Sequence, residues 1–307
     1  MNETEERRYS KWKQHGITVA GGNQQGDNLK QLFYPWSICV DNKQTVYVAD
    51  QFNHRIVAWK TDATQGQILI GQYGQGSMDE QLNYPRKMII DEKNDSFVIC
   101  DNGNCRIVSW SRKRQHNGII GEIIMTNIDG WGLAMDKEGY FYVSDLRKHE
   151  IRRWKIGEKK ETVVAGGNGQ GDRLDQFRGP YHIFVDEEQS IYVSDNGNHR
   201  VMKWTKGAKE GIVVAGGHGQ GNDLTQLSYP QGIVVDELGS IYIADCHNHR
   251  IVRWLKEATE GSVVVGGDIR GELSNHLNFP HDLCFDQENN LYAVDSANHR
   301  VQKFSHF

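Results

Sequence analysis

Short runs of alternating apolar and polar residues recur along the chain, and most of them lead into a polar turn. In residues 241–254 the alternation stops at Asp245 and resumes at Arg250 after a polar segment. This pattern predicts a strand, a tight turn and a second strand. The other copies of the pattern lie at residues 46–59, 191–204 and 291–304, with weaker copies at 97–110 and 141–154. The chain therefore consists of structural repeats.

The repeats share a constant internal spacing. Their turns open on aspartates that are 51, 44, 50, 50 and 50 positions apart, namely Asp50, Asp101, Asp145, Asp195, Asp245 and Asp295. In every copy an aromatic residue follows the aspartate after nine positions, at Trp59, Trp110, Trp154, Trp204, Trp254 and Phe304. Six equal intervals indicate six equivalent units.

Each unit is predicted to contain four strands. An apolar strand that ends in aspartate precedes the hairpin, and a Val-Val-Gly-Gly type strand follows it at residues 163–167, 212–217 and 262–267. A spare copy of this fourth strand begins the chain at residues 17–22, and the sixth unit stops after its third strand. Pairing the two would remove the exposed edges of an open array. We predict an all-β fold, a six-bladed β-propeller of four-stranded antiparallel blades, whose N-terminal strand completes blade six.

The composition fits one repeat domain. The 33 glycines suit many short strands joined by turns. Residues 1–15 are predicted to form a charged N-terminal lead-in, and residues 16–307 the propeller. We find neither a membrane-spanning apolar run nor a signal-peptide core, so we expect a cytoplasmic monomer unless the chain is excised from a longer protein.

Five cysteines are an odd number, and most lie in or beside strands, which favours reduced thiols. Cys100 and Cys105 flank one turn, and the sequence leaves open whether they pair.

The turns carry a motif that resembles a known repeat. Asn53-His54-Arg55 follows a Tyr-Val-Ala-Asp strand, and the same triplet recurs at residues 198–200, 248–250 and 298–300. This motif resembles the NHL repeat, and the resemblance extends over about residues 17–307. The resemblance implies a six-bladed propeller, used mostly for binding proteins or RNA, with some relatives that are lyases or hydrolases.

The repeated histidines are interpreted as structural. His54, His149, His199, His249 and His299 fall in different blades, so they cannot share one metal ion. We expect them to form hydrogen bonds in the turns and between blades.

The informative positions are those that differ between units. The first strand of each blade is expected to line the central channel, so the residues after the connector proline should ring its mouth. A purely structural repeat would reuse one residue there, whereas these positions mix aromatic, cationic and acidic side chains, which is typical of binding sites. The candidate binding residues are Trp36, Arg86, Lys87, Trp131, Tyr181, His182, Gln231, His281 and Asp282.

The third unit deviates from the others. Its connector, taken as residues 121–130, lacks the Gly-x-Gly loop and the proline, and its turn reads Lys148-His149-Glu150. We expect the shortened connector to leave a notch in the rim beside Trp131, with Lys148 and Glu150 at its edge.

We predict a non-catalytic binding or scaffold propeller that binds a protein partner or a small ligand on the channel-mouth face, without a cofactor. No Ser-His-Asp, Cys-x-x-Cys or HExxH signature is present. RNA binding is an alternative that the net charge of −5 disfavours.

An enzymatic alternative comes from blade six. Pro280-His281-Asp282-Leu283 is similar to a motif of peptidyl-amidoglycolate lyases, in which histidines after such prolines bind zinc and an adjacent aspartate helps to bind calcium. His281 and Asp282 match that pattern, His182 lies one position late, and Arg86 stands where a third histidine is needed. Zinc and calcium would be required only under this alternative.

Overall fold

The computed structural model describes residues 11–113, 121–158, 160–267 and 269–307. These residues form 24 strands in six four-stranded antiparallel sheets around a central channel. The predicted six-bladed β-propeller is confirmed. In the described part of the chain, no helix is long and apolar enough to cross a membrane.

The first strand of the chain, β1 (Ile17–Gly21), belongs to the last blade. The strands of blades 1 to 5 follow one another in chain order. Blade 1 contains β2 (Pro35–Val40), β3 (Val46–Asp50), β4 (Arg55–Trp59) and β5 (Gln67–Ile70). Blade 2 contains β6 (Pro85–Asp91), β7 (Ser96–Asp101), β8 (Arg106–Ser111) and β9 (Glu122–Thr126). Blade 3 contains β10 (Gly130–Met135), β11 (Phe141–Asp145), β12 (Glu150–Trp154) and β13 (Thr162–Gly166).

The other half of the ring repeats this order. Blade 4 contains β14 (Pro180–Val185), β15 (Ile191–Asp195), β16 (Arg200–Trp204) and β17 (Ile212–Gly216). Blade 5 contains β18 (Pro230–Val235), β19 (Ile241–Asp245), β20 (Arg250–Trp254) and β21 (Ser262–Gly266). Blade 6 contains β22 (Pro280–Phe285), β23 (Leu291–Asp295) and β24 (Arg300–Phe304), and it takes β1 as its outer strand.

The ring closes where β1 pairs with β24. The two strands are antiparallel, with Ile17 opposite Lys303 and Gly21 opposite Arg300. This pairing confirms the predicted closure and covers the edge that β24 would otherwise expose.

Trp12 reinforces this closure from within the predicted lead-in. Its side chain is only 4% exposed and packs against Tyr242 and Phe285, with ring centroids 5.6 Å away in both cases. Its indole Nε1 donates a hydrogen bond to the Asn289 carbonyl at 2.8 Å. Residues 1–10 of the predicted lead-in lie outside the described residues. The packed part of the chain therefore begins before residue 16.

The core lies between neighbouring blades. Alternation places one set of side chains on each sheet face, and adjacent sheets bury these faces against each other. The aromatic residue that ends the third strand is at most 5% exposed in every blade. Trp254 of blade 5, for example, packs in one cluster with Tyr192 of blade 4.

A buried aspartate organises each turn between the second and third strands. Asp50 accepts hydrogen bonds from the Phe33 amide at 2.7 Å, from Asn53 Nδ2 at 2.8 Å and from Arg55 Nε at 2.7 Å. The equivalent Arg–Asp pairs, at 2.7 or 2.8 Å, are Arg106–Asp101, Arg200–Asp195, Arg250–Asp245 and Arg300–Asp295.

The histidine of the same turn links adjacent blades. His54 adopts a left-handed conformation (φ 55°), and its Nδ1 accepts a hydrogen bond from the Tyr84 amide, in the connector to the next blade, at 3.0 Å. The predicted inter-blade role is confirmed in four copies, in which the histidine and the amide donor are His54 and Tyr84, His199 and Tyr229, His249 and Phe279, and His299 and Tyr34.

The junction of blades 2 and 3 departs from this pattern. Strand β9 occupies half of the segment taken from the sequence as connector 121–130, so that prediction is wrong and the connector is residues 127–129. The sequence of β9 lacks the Val-Val-Gly-Gly motif that is typical of outer strands in other blades. Cys105 replaces the turn histidine, and Cys100 and Cys105 are both free thiols.

Blade 3 replaces the turn arginine by Glu150, and a second change compensates for it. Arg152, two residues further on, lies 3.0 Å from Asp145 and 2.7 Å from Glu150. Its third contact is with Glu161 at 2.7 Å. A buried aspartate therefore keeps a cationic partner although the motif is lost.

We expect a variant that lacks residues 1–21 to form oligomers, because the unpaired edge of β24 can recruit another chain. Light scattering after size-exclusion chromatography would detect this. The control is Trp12→Ala, which keeps β1 and should remain monomeric while losing about 3 kcal/mol of stability in denaturant unfolding. A monomeric, fully stable deletion variant would contradict the closure.

We also expect His249→Asn to destabilise the protein by about 1 kcal/mol more than His149→Asn. Asparagine tolerates the left-handed backbone that both positions adopt. Only His249 accepts an inter-blade hydrogen bond, since His149 Nδ1 has no partner among the described residues. Equal unfolding free energies of the two variants would show that this bond adds nothing.

Candidate functional site

Five predicted binding residues form one stack across the channel mouth. The Arg86 guanidinium carbon lies 4.3 Å from the Trp36 ring centroid and 3.4 Å from that of Trp131. Trp36 stacks on His281 at 4.0 Å, and Trp131 packs on Tyr181 at 4.2 Å. The stack therefore joins the first strands of blades 6, 1, 2, 3 and 4.

A charged group adjoins this stack within the channel. Lys87 Nζ lies 2.6 Å from Asp282 Oδ2, and His182 Nδ1 lies 3.6 Å from Asp282 Oδ1. The Asp282 carboxylate also accepts hydrogen bonds from the amides of Ile38 at 3.2 Å and Leu283 at 3.0 Å. Burial opposes ionisation of Asp282, but these partners outweigh it, so the pKa of Asp282 lies below its ordinary value.

Glycines allow the inner strands to approach one another at this level. A Cβ atom on Gly132 would lie 2.3 Å from the Tyr181 carbonyl oxygen, and one on Gly232 would lie 2.7 Å from Cα of Asp282. Both distances are shorter than van der Waals contact. The glycines of blades 3 and 5 thus bring Tyr181 and Asp282 of the next blades toward the channel.

Both channel histidines are neutral at physiological pH. Burial lowers the pKa of His281 to about 3 and that of His182 to about 4. The charge of neighbouring Arg86 acts in the same direction on both residues. Each ring therefore has one nitrogen that donates and one that accepts.

Several polar atoms of the site have no hydrogen-bond partner among the described residues. His182 and Gln231 are 2% and 5% exposed, so these orphaned groups are deeply enclosed. The unpartnered atoms are Trp36 Nε1, Arg86 Nε and Nη1, His182 Nε2, Gln231 Oε1 and His281 Nδ1. Buried polar groups are normally satisfied, so such a cluster indicates a place where a ligand or water binds.

The residues of the lyase alternative do not assemble as a metal site. Among the described residues, no group of three or more His, Cys, Asp or Glu side chains is placed to hold a metal ion. Asp282 already binds the Lys87 ammonium, and Arg86 occupies the position where the lyase pattern needs a histidine. We therefore assign no chemical step to a metal here.

Lys148 and Glu150, predicted at the rim notch, do not join the stack. Lys148 is exposed, and its backbone amide caps Asp145 at 3.2 Å. Glu150 is 9% exposed and pairs with Arg152. Trp131 itself is half-buried, with its Nε1 donating to Asp129 at 3.1 Å.

The sequence reasoning missed an aromatic patch on the same face, which we call the blade 1 patch and define as Phe33, Tyr34, Phe52 and Tyr84. Phe33 and Phe52 pack at 5.0 Å, and Phe52 contacts Tyr84 at 5.4 Å. Tyr34 is 37% exposed and Phe52 is 42% exposed. The positions equivalent to Phe52 hold Gly103, Arg147, Gly197, His247 and Ala297. Comparison of the repeats would have revealed this substitution.

A cavity lies away from the mouth, at the other ends of the inner strands. It measures about 1240 Å³ and includes Asp136, Asp186 and Asp236 among its lining residues. These carboxylates already bind turn amides of their own blades, at Tyr140, Ser190 and Ser240. Because these carboxylates are satisfied, we regard the mouth, with its unpartnered polar atoms, as the better candidate site.

Fold and repeats together define the class of protein. The family described as "NHL repeat" matches residues 34–59, 227–254 and 277–304, which cover the inner three strands of blades 1, 5 and 6. The chain is a six-bladed β-propeller, and three of its six blades match the NHL repeat. No curated protein matches the sequence.

Solved structures share this fold at low identity. A protein of unknown function from Bacteroides thetaiotaomicron is 18% identical with a TM-score of 0.75, over 95% of this chain and 76% of that one. An auxiliary nutrient binding protein from Bacteroides ovatus is 15% identical with a TM-score of 0.72, over 97% and 77% of the chains. A gluconolactonase from Xanthomonas campestris is 14% identical with a TM-score of 0.64, over 95% and 98%. Binding proteins and enzymes therefore both use this architecture.

The neutral channel histidines predict a loss of stability in acid. Unfolded histidine has a pKa of about 6.5, whereas the pKa of His182 in the folded protein is about 4. Between these values the unfolded chain binds a proton that the folded chain does not, so stability falls as the pH falls below 6.5. His182 should contribute a loss of about 2 kcal/mol between pH 7 and pH 5.

Denaturant unfolding of His182→Gln at both pH values tests this expectation, because glutamine does not titrate. The variant should lose about 2 kcal/mol less than the wild type over that interval. His15→Gln, at an exposed position, is the control and should follow the wild type. An unchanged pH dependence in His182→Gln would contradict the neutral, enclosed histidine.

Proposed function

We propose that this propeller is a non-catalytic binding protein that holds a small-molecule ligand at the channel mouth. The observation that carries the proposal is the cluster of enclosed, unpartnered polar atoms on Trp36, Arg86, His182, Gln231 and His281. Pockets for small ligands combine apolar and aromatic walls with a few such polar groups. Here the aromatic walls and the polar groups come from the same stack.

Repetition within the chain supports this role. Equivalent residues of a structural repeat tend to be alike, as the turn aspartates and the third-strand aromatics are. The first position after the start of each inner strand instead holds Trp36, Arg86, Trp131, Tyr181, Gln231 and His281. Five residue types at six equivalent positions suit an asymmetric ligand better than a role in packing alone.

The packing of the mouth favours a small ligand over a protein at this point. The aromatic rings lie against each other and against Arg86, so few side chains project from the mouth. Protein interfaces usually centre on projecting aromatic anchors or on pockets that receive them.

A protein partner on the blade 1 patch is a second candidate. Phe52 and Tyr34 are exposed, and Phe52 occupies a position that is small or polar in the other blades. Exposed aromatic residues of this kind are enriched in interfaces. RNA would require a basic face, which the net charge of −5 does not favour.

A thermal-shift screen of the protein against small metabolites, neutral sugars and amino acids tests the proposal. Compounds that stabilise the wild type should bind Trp131→Ala and Tyr181→Ala at least about tenfold more weakly, because truncation removes a wall of the site. Melting temperatures of the unliganded variants should stay close to that of the wild type.

Lys113→Ala provides the matched control. Its side chain is 79% exposed and lies on the connection between the third and fourth strands of blade 2, away from the mouth. This variant should bind as the wild type does. Equal affinity in the Trp131, Tyr181 and Lys113 variants would place the site elsewhere.

A further inference from the structure

The mouth carries one positive charge, on Arg86, that has no acidic side chain within ion-pair distance, and the Asp129 carboxylate acts on it only from farther away. Lys87 and Asp282 neutralise each other at 2.6 Å, and the two channel histidines are neutral. Arg86 forms neither an ion pair nor a hydrogen bond with any described residue. Burial lowers the pKa of Arg86 to about 10, so its guanidinium remains charged at neutral pH. An enclosed charge without a counterion is unfavourable, and an anion would relieve it.

The geometry of the stack leaves the donors of Arg86 free. Trp36 and Trp131 cover the guanidinium at 4.3 and 3.4 Å from its carbon. The rings attract the cation but accept no N–H bond in its plane. The five N–H groups of a guanidinium all lie in its own plane, so an acceptor approaches them from the edge of the guanidinium and not through a ring face. Trp36 adds an unpartnered Nε1–H to the same stack.

We propose that the mouth recognises the carboxylate group of a small organic acid, with Arg86 as its ionic partner and Trp36 Nε1 as a further donor. This inference rests on the proposed function and names the chemical class of its ligand. A carboxylate is planar and pairs with the guanidinium through two parallel hydrogen bonds. Its single negative charge would pair with the one cation of the site that lacks a partner within ion-pair distance.

Two features favour a carboxylate over a phosphate. A phosphate dianion would bring a second negative charge close to Asp282, whose carboxylate is already ionised and 0% exposed. The free donors here, Arg86 Nε and Nη1 and Trp36 Nε1, can satisfy the two oxygens of a carboxylate but are too few for the four oxygens of a phosphate. The orphaned acceptor Gln231 Oε1 would suit a hydroxyl or amide donor on the same ligand.

Acetate is the simplest probe of this assignment. At pH 7 and constant ionic strength, sodium acetate should raise the melting temperature of the wild type and change its tryptophan fluorescence, since Trp36 and Trp131 flank Arg86. Acetamide, which has the same shape without the charge, should do neither. Inorganic phosphate should have a smaller effect than acetate at equal concentration.

Variants connect the response to the proposed residues. Arg86→Gln should lose the acetate response, whereas Arg178→Gln, an exposed arginine on the connector before β14, should keep it. Trp36→Phe keeps the aromatic ring and removes Nε1–H, so acetate should bind about fivefold more weakly, the effect of one hydrogen bond. If Arg86→Gln does not fold, Trp36→Phe still tests the site.

The outcomes separate this inference from the proposed function. Absence of an acetate response, an equal response in Arg86→Gln, or a stronger response to phosphate or acetamide would overturn the carboxylate assignment. If the ligands found are neutral and their binding depends on Trp131 and Tyr181, the proposed function stands and only the carboxylate assignment fails. Loss of that dependence would overturn the proposed function and the assignment together.

Discussion

The ring depends on one buried carboxylate in each blade. Asp50 is 0% exposed, and burial raises its pKa although Arg55 opposes this effect. A buried carboxylate that loses its donors costs about 3–5 kcal/mol, so the turn is fixed in the one arrangement that supplies them. The Arg55 guanidinium also holds the connector that leads into the blade, through the carbonyl groups of Asp27, Asn28 and Gln31. One interaction thus sets the turn, the connector and the start of the inner strand.

Local patterns were sufficient to predict this framework. The spacing from aspartate to aromatic residue predicted six hairpins, and the spare strand at residues 17–22 predicted closure on β24. The prediction failed for β9 because Glu122–Thr126 lacks the sequence motif that is typical of the outer strands. Hydrogen bonding to β8 nevertheless keeps this segment in the sheet. Pairing with a neighbouring strand can thus preserve a strand that its own sequence does not predict.

The candidate site was predictable in membership but not in arrangement. Repeat spacing placed nine residues around the channel from sequence positions alone. It could not show that Arg86 would contact the rings of both Trp36 and Trp131, because that depends on side-chain rotamers in three blades. Nor could it show that Lys87 of blade 2 reaches Asp282 of blade 6 across the channel. Contacts between residues 195 positions apart carry no local sequence signal.

The turns and the blade interfaces stabilise the ring, which explains why the channel can contain polar and charged side chains. Apolar clusters between the blades and the Asp–Arg turns stabilise the ring, so the inner strands do not need an apolar channel. A buried ion pair such as Lys87–Asp282 is often no more stable than a well-packed apolar pair, and an unpaired cation such as Arg86 is less stable. These polar groups therefore have little value for folding. Their concentration at one level of the channel, where the repeats differ from one another, is what the proposed binding role predicts.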